Sequence, residues 1–202
     1  TRKEENNKIL MQDAFLITSL SWLSISIFGA FPFYFSENSF GITNSIFESM
    51  SGITTTGSSI IQNVEALTEG MLIWRGLLQW MGGIGIIVMA VSILPVLRVG
   101  GMQVFRMESS DTTDKILPRT TQIASAIIII YLVLTLICLI AYWLGGMNFF
   151  DALVHSMTTI ATGGFSTQNN SFASFNNNSL EYTAIIFMIL SSLPILIYLE
   201  IF

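Results

Sequence analysis

The sequence has very little charge for its length. Charged residues make up only 10% of its 202 residues, whereas hydrophobic residues make up 52%. Ordinary soluble domains carry about 25% charged residues. A soluble helical core of this composition would lack the polar surface needed to cover it. The composition therefore favours a membrane protein over a soluble helical domain.

Cysteine and histidine are nearly absent as well, with a single copy of each, Cys138 and His155. One cysteine cannot form a disulfide framework, so cysteine usage does not indicate the redox compartment. A lone histidine without spaced Cys, His or carboxylate partners argues against a transition-metal site. A membrane enzyme would need a nucleophile with a base, or metal ligands, and the chain offers few such groups. We expect no enzyme and no cofactor.

Four segments carry no charge and are long enough to cross a bilayer, which takes about 20 residues. They are residues 14–36, 76–97, 120–150 and 182–199. The first is too long for the apolar region of a signal peptide and lacks a small-residue cleavage site. The sequence therefore predicts an all-α integral membrane protein with four spans.

Lysine and arginine are missing from two long segments, residues 37–72 and 145–181. All of the 8 basic residues except Arg75 lie before the first span or within residues 98–119. By the positive-inside rule, the N-terminus and residues 98–119 face the cytoplasm. The segments without basic residues then approach the membrane from outside. Arg75, at the start of the second span, is expected either to snorkel to the interface or to repel cations.

One motif occurs twice, each time between two apolar segments. Residues 44–59 align with residues 151–166 without a gap. The identical pairs are Ser49/Ser156, Met50/Met157, Ile53/Ile160, Thr55/Thr162, Gly57/Gly164 and Ser59/Ser166. We predict a short helix over 44–53, with Thr43 as its N-cap, and another over 149–160. Both are too short to cross a bilayer, as expected for pore helices.

A turn rich in threonine and glycine follows each short helix, at residues 54–59 and 161–167. Closely spaced carbonyl oxygens can replace the water shell that a cation sheds in a narrow pore. Glycine reaches the left-handed backbone angles that turn consecutive carbonyls inward. Such clusters also mark ordinary surface turns. Two copies in register, each after a short helix, favour an ion filter.

Five short motifs occur together in this chain. They are Ser51-Gly-Ile-Thr-Thr-Thr-Gly-Ser58, Gln79-Trp-Met-Gly-Gly-Ile-Gly-Ile-Ile87, Ile93-Leu-Pro95, Gly100-Gly-Met-Gln103 and Ile160-Ala-Thr-Gly-Gly-Phe-Ser-Thr167. In combination they resemble the Trk subfamily of bacterial potassium-uptake proteins, whose wider relatives are the Ktr and plant HKT transporters. The resemblance covers about residues 13–190. It implies four helix–pore loop–helix units around a central pore, of which this chain looks like the first two.

The resemblance thus implies half of a pseudo-fourfold cation pore within a longer protein. The expected divisions are a cytoplasmic lead-in at 1–13, a first unit at 14–97, a cytoplasmic linker at 98–119 and a second unit at 120–202, which looks truncated at its C-terminus. With only two units present, we expect the face formed by Gly82, Gly83 and Gly85 to lack packing partners.

The family resemblance also implies which residues line the ion path. One filter glycine per unit does so, together with the residues just before it, and the repeat register assigns that role to Gly57 and Gly164. The neighbouring carbonyls would come from Thr55, Thr56, Thr162 and Gly163. A shift of one residue would make Gly163 the central glycine instead, at the cost of the gapless alignment.

Glu48 and His155 occupy the same repeat position in the two predicted pore helices. An ionisable group inside a membrane is a functional candidate by default. Two interpretations are open. Either these side chains attract cations at the pore mouth, or they form local hydrogen bonds near the outer surface.

The function implied by the resemblance is uptake of K⁺ by a multi-pass protein of the bacterial inner membrane. A homodimer and a cytosolic nucleotide-binding regulatory subunit are implied too, and no nucleic-acid partner is expected. The basic segment 98–119 could meet that subunit or bind anionic membrane lipid.

Two alternatives to K⁺ uptake stay open. Transport of Na⁺, or weakly selective transport of monovalent cations, is one of them. The Thr-Val-Gly-Tyr-Gly pattern of strongly selective K⁺ channels is absent, so fewer stacked carbonyl sites are expected. A structural membrane subunit without transport activity is the other.

Overall fold

The computed structural model describes residues 11–36, 40–97 and 116–193. Every regular element within those ranges is helical, which confirms the all-α prediction. The elements are α1 (Met11–Gly29), α2 (Phe31–Tyr34), α3 (Gly41–Ile53), α4 (Glu69–Leu97), α5 (Ile116–Leu144), α6 (Phe149–Ile160) and α7 (Asn178–Ser192), with short 3-10 turns at Val64–Ala66 and Ser171–Phe175. Most of the predicted lead-in and linker lies outside the described residues.

Two stretches of the described chain are long and apolar enough to cross a membrane, Phe15–Tyr34 and Ser125–Leu144. Only 17% of the first and 28% of the second is buried. A core helix of a soluble protein would bury its apolar side chains instead. The other two predicted spans, 76–97 and 182–199, extend past the side chains that the structure describes.

Exposed aromatic side chains gather where α5 ends and α6 and α7 begin. Trp143, Phe149 and Tyr182 are all more than half exposed, and the rings of the first two meet edge to face at 6.5 Å. Asn177 Nδ2 donates to the Gly145 carbonyl at 2.9 Å, which keeps the start of α7 at this end. Trp and Tyr rings at one end of apolar helices are typical of a membrane–water interface.

The first predicted span is not one continuous helix. It breaks after Gly29, and α2 follows with Pro32 in its first turn, where the missing N–H leaves no hydrogen bond unmade. At the break, the Gly29 carbonyl accepts from Trp74 Nε1 at 3.0 Å. A Cβ on Gly29 would lie 2.5 Å from Ser49 Oγ. The break therefore lies where α1 contacts both α3 and α4.

The two short helices have 13 and 12 residues. At about 1.5 Å per residue, each is too short for a hydrocarbon core of about 30 Å. Helix α6 has the predicted bounds, and Asn148 caps it by accepting from the Asp151 amide at 2.7 Å. Helix α3 starts at Gly41, three residues before the predicted start, so the Thr43 cap was wrong. Phe40 precedes this helix and makes no side-chain cap.

Helix α4 packs against the C-terminal ends of both short helices, and its glycines make this possible. A Cβ on Gly82 would overlap the carbonyl group of Ile53, the last residue of α3. A Cβ on Gly83 would lie 3.1 Å from the Cα of Ala161, just after α6. The expectation that this face lacks partners was therefore wrong for both glycines. Among the described residues, nothing lies within 4 Å of a Cβ on Gly85.

Helix α4 also joins two buried hydrophobic clusters. Its Leu78 belongs to a cluster with Phe33 of α2, and its Trp80 packs against the cluster around Tyr131 of α5. Trp80 Nε1 donates to Thr135 Oγ1 at 3.1 Å, and Tyr131 Oη donates to the Trp80 carbonyl at 3.0 Å. These hydrogen bonds satisfy polar groups that would destabilise the fold if they were left unpaired inside a membrane. Helix α4 is thus the element that holds the two loop-bearing halves together.

Candidate functional site

The loops after α3 and α6 repeat the same backbone geometry. Gly57 and Gly164 have φ angles of 77° and 82°, as the repeat register predicts. Thr55 and Thr162, also paired by the register, have φ angles of 55° and 52°. Gly163 is not among the glycines with positive φ. The backbone therefore repeats in the register that pairs Gly57 with Gly164.

Each loop begins with the same pair of capping hydrogen bonds. In the first, the amides of Thr55 and Thr56 donate to the carbonyls of Gly52 and Ser51 at 2.9 and 3.0 Å. In the second, the amides of Thr162 and Gly163 donate to the carbonyls of Thr159 and Thr158 at 3.0 and 2.9 Å. This is the Schellman pattern, in which glycine usually takes the left-handed position.

Threonine at that left-handed position is unusual. The conformation costs a residue other than glycine about 1–3 kcal/mol, and it persists where surrounding structure enforces it. Both Thr55 and Thr162 adopt this costly conformation. Strain of this kind clusters at ligand-binding sites. The sequence does not reveal this strain, because threonine carries no local signal for a left-handed angle.

The paired positions Glu48 and His155 make equivalent contacts. Ser59 Oγ donates to Glu48 Oε1 at 2.9 Å, and His155 Nε2 hydrogen-bonds with Ser166 Oγ at 2.9 Å. In both copies a side chain of the short helix thus holds a serine near the end of the loop. Both side chains are buried, with exposed fractions of 1% and 0%. Of the two interpretations, the structure supports local hydrogen bonds.

Arg75 is buried, so the expectation that it snorkels to the interface was wrong. Its Nε donates to Glu48 Oε1 at 2.9 Å, and the two side chains are 2% and 1% exposed. Its Nη2 donates to Ser59 Oγ at 3.1 Å, and its Nη1 donates to the Ser166 carbonyl at 3.2 Å. The guanidinium lies 4.2 Å from the centroid of the Phe165 ring. One side chain of α4 therefore contacts both loops.

A signal for this ion pair was present in the sequence. Arg75 is the one basic residue outside the predicted cytoplasmic segments, and Glu48 lies in a predicted pore helix. Charged groups at membrane depth usually pair with each other. The pairing of Glu48 with Arg75 was therefore predictable from the sequence.

Gln79 lies one helical turn beyond Arg75 and forms two hydrogen bonds with the second loop. Its Nε2 donates to the Gly163 carbonyl at 2.8 Å, and its Oε1 accepts from the Phe165 amide at 3.1 Å. The side chain is fully buried. A Cβ on Gly163 would overlap the Gln79 amide group. Gln79 begins the motif at residues 79–87, but the motif alone does not indicate this contact with the loop.

The two loops also touch each other. A Cβ on Gly57 would overlap the carbonyl oxygen of Gly163. Further out, Asn169 joins the segments that follow the loops. Its Oδ1 accepts from the Val64 amide at 2.7 Å, and its own amide donates to Glu65 Oε1 at 3.0 Å. The filter candidates of the two copies therefore form one connected structure.

A cavity of about 350 Å³ borders the second loop. Its lining includes Thr162 and Gly164 of the loop, Thr158 of α6, and Glu181 and Met188 of α7. Within the described ranges, no group of three or more His, Cys, Asp or Glu side chains could hold a metal ion. The arrangement offers backbone carbonyls and threonine hydroxyls, which suit a weakly hydrated monovalent cation better than a transition metal.

Comparison with known proteins gives consistent results. The family TrkH, described as a cation transport protein, matches residues 1–202. The Trk system potassium uptake protein TrkI of Halomonas elongata is 47% identical over 187 residues, which are 92% of this chain and 38% of that protein. The Trk system potassium uptake protein TrkH of Escherichia coli K12 is 42% identical and matches 94% of this chain and 40% of its own length.

A solved structure agrees as well. The crystal structure of the potassium transporter TrkH from Vibrio parahaemolyticus superposes with a TM-score of 0.82 at 38% identity, over 98% of this chain and 39% of that one. The chain thus spans about two-fifths of the length of the relatives it matches. The matched family transports cations, which confirms the predictions of a Trk resemblance and of a protein that is not an enzyme. This chain belongs to the TrkH family of cation transport proteins.

Proposed function

We propose that the loops at residues 54–59 and 161–167 form part of a filter for K⁺ uptake across the bacterial inner membrane. The observation that carries this proposal is the repeated left-handed backbone at Thr55 and Gly57 and at Thr162 and Gly164. Relatives matched over most of this chain are potassium uptake proteins. Because the chain spans about two-fifths of their length, the activity is that of the whole protein.

In this proposal, backbone carbonyls replace water around the ion. They come from Thr55, Thr56, Gly57, Thr162 and Gly164. Gly163 was expected to contribute its carbonyl too, but that oxygen accepts from Gln79. We assign to Gly163 the role of leaving space for the Gln79 amide.

Helix dipoles and carbonyls, rather than a free carboxylate, would attract the cation. Helices α3 and α6 end at Ile53 and Ile160, immediately before the two loops. The C-terminal end of a helix carries a partial negative charge, which favours a cation. The charge of Glu48 is balanced by Arg75. Glu48 and His155 would therefore shape the loops and would not act as pore-mouth ligands.

We further propose that α1–α4 and α5–α7 are two tandem units, half of a pseudo-fourfold pore. The matching succession of long helix, short helix, loop and long helix supports this division. By the same resemblance, the whole protein would be a homodimer with a cytosolic nucleotide-binding regulatory subunit. The basic segment 98–119 would meet that subunit or anionic lipid headgroups.

Flux measurements on the full-length protein in liposomes test the proposed function. We expect a K⁺ gradient to drive uptake that exceeds Na⁺ uptake under matched gradients, because the filter replaces the hydration shell of K⁺. Liposomes without protein provide the background. Equal or larger Na⁺ flux would favour the weakly selective alternative, and absence of both fluxes would favour a structural subunit.

Cysteine labelling tests the orientation. In a Cys138→Ala background, we expect Ala173→Cys to react with an impermeant thiol reagent added outside, and Ser110→Cys to react only after permeabilisation. The reason is that basic residues cluster at 98–119, which places that segment inside. Ala173 is exposed, and Ser110 lies outside the described residues. External labelling of Ser110→Cys but not Ala173→Cys would reverse the topology.

A further inference from the structure

We propose that Arg75 and Gln79, one turn apart on α4, are positioning residues that hold the two filter loops in register and thereby set ion selectivity. The inference rests on the proposed function of the loops. It concerns two residues of α4 for which the sequence predicted no contact with the loops.

Arg75 reaches both loops at their outer ends. Its Nη2 donates to Ser59 Oγ in the first loop, and its Nη1 donates to the Ser166 carbonyl in the second, at 3.1 and 3.2 Å. Its third contact, through Nε, is to Glu48 at 2.9 Å. A guanidinium presents its N–H donors in a rigid planar fork, which an ammonium group cannot reproduce. The three contacts therefore fix Ser59 relative to Ser166.

Gln79 brackets Gly164 on both sides. Its amide donates to the Gly163 carbonyl and accepts from the Phe165 amide, at 2.8 and 3.1 Å. These two bonds set the orientation of the peptide groups before and after Gly164. A Cβ on Gly57 of the first loop would lie 3.7 Å from the same Gln79 Nε2. Gln79 thus stands where the two proposed filter glycines approach each other.

Stability alone does not account for this arrangement. The desolvation of a buried ion pair offsets much of the electrostatic attraction between its charges. Well-packed apolar residues in its place often give a protein equal stability. Glu48 also accepts from the Ile60 amide at 3.1 Å, so the pair is tied to the backbone of the first loop. A filter needs its ligands held to within about 0.5 Å. Arg75 and Gln79 supply that restraint from outside the ion path.

The test measures transport per folded molecule of the full-length protein in liposomes, for Arg75→Lys and Gln79→Met. The first change keeps the charge opposite Glu48 but loses the fork, and the second keeps the side-chain volume but loses both hydrogen bonds. We expect the ratio of K⁺ to Na⁺ flux to fall about tenfold, and KM for K⁺ to rise, as for the loss of one charge-assisted hydrogen bond at Arg75 or of two neutral ones at Gln79. Trp74→Phe is the matched control, because Trp74 Nε1 donates to Gly29 and to neither loop.

The outcomes separate this inference from the function on which it rests. Absence of flux in the parent protein would defeat the proposed function. A selective parent with variants of unchanged ratio and KM, even at reduced yield, would assign Arg75 and Gln79 to folding alone and overturn the inference. If Arg75→Lys does not fold, Gln79→Met decides, and failure of both to fold would likewise overturn it.

Discussion

Gly57→Ala is expected to abolish K⁺ uptake, whereas Gly164→Ala is expected to weaken it only partly. Both glycines have positive φ, which costs alanine about 1–2 kcal/mol. At Gly57 the new methyl group would also overlap the carbonyl oxygen of Gly163, a backbone atom that cannot rotate away. Overpacking of this kind adds about 1–3 kcal/mol or more to the conformational cost of the alanine. At Gly164, nothing described lies within 4 Å of the added Cβ.

Growth of a K⁺-transport-deficient host on limiting K⁺ measures this difference, with the full-length gene carrying each variant. Immunoblots of the membrane fraction correct for protein amount. Gly70→Ala provides the control, since Gly70 lies in the first turn of α4 with nothing within 4 Å and no positive φ. Parental growth by both loop variants would contradict the filter assignment. Equal loss in both would mean that the contact between the loops is unimportant.

Gly82→Ala is expected to deplete the folded protein rather than to change its ion preference. A Cβ at this position would overlap the Ile53 carbonyl group, so α3 would have to move away from α4. Close approach through small residues is a main source of helix packing in membranes. A methyl group that overlaps backbone atoms cannot avoid them by rotating. We therefore expect the free energy of unfolding to fall by about 3 kcal/mol or more.

The measurement is the yield of monodisperse protein in detergent and its melting temperature. Gly85→Ala is the matched control in the same motif, because no described atom lies within 4 Å of its added Cβ. Normal yield and melting temperature for Gly82→Ala would show that α3 and α4 do not pack as described. A larger defect for Gly85→Ala than for Gly82→Ala would contradict the contact as well.

Local chemistry made several features predictable from the chain alone. Helix α6 was predicted correctly, because an apolar stretch starts after Asn148 and stops at a Thr/Gly turn. The positive φ of Gly57 and Gly164 follows from a repeat in which only glycine reaches that region without steric cost. The start of α3 was predicted wrongly, since Thr43 looks like a cap but lies within the first turn.

Composition and residue spacing therefore determine the membrane character, the repeat and the register of the loops. These features depend on residues that are close together in the sequence. The partners of Arg75 and Gln79 in the second loop do not, because Ser166, Gly163 and Phe165 lie far along the chain and meet α4 only through packing. The sequence also does not reveal that Gly57 and Gly164 differ in how well they tolerate a side chain. The repeat makes them equivalent, and the contact with the Gly163 carbonyl makes one of them far less tolerant of a side chain. A repeat specifies matching backbones, but each copy acquires different neighbours when the two pack side by side.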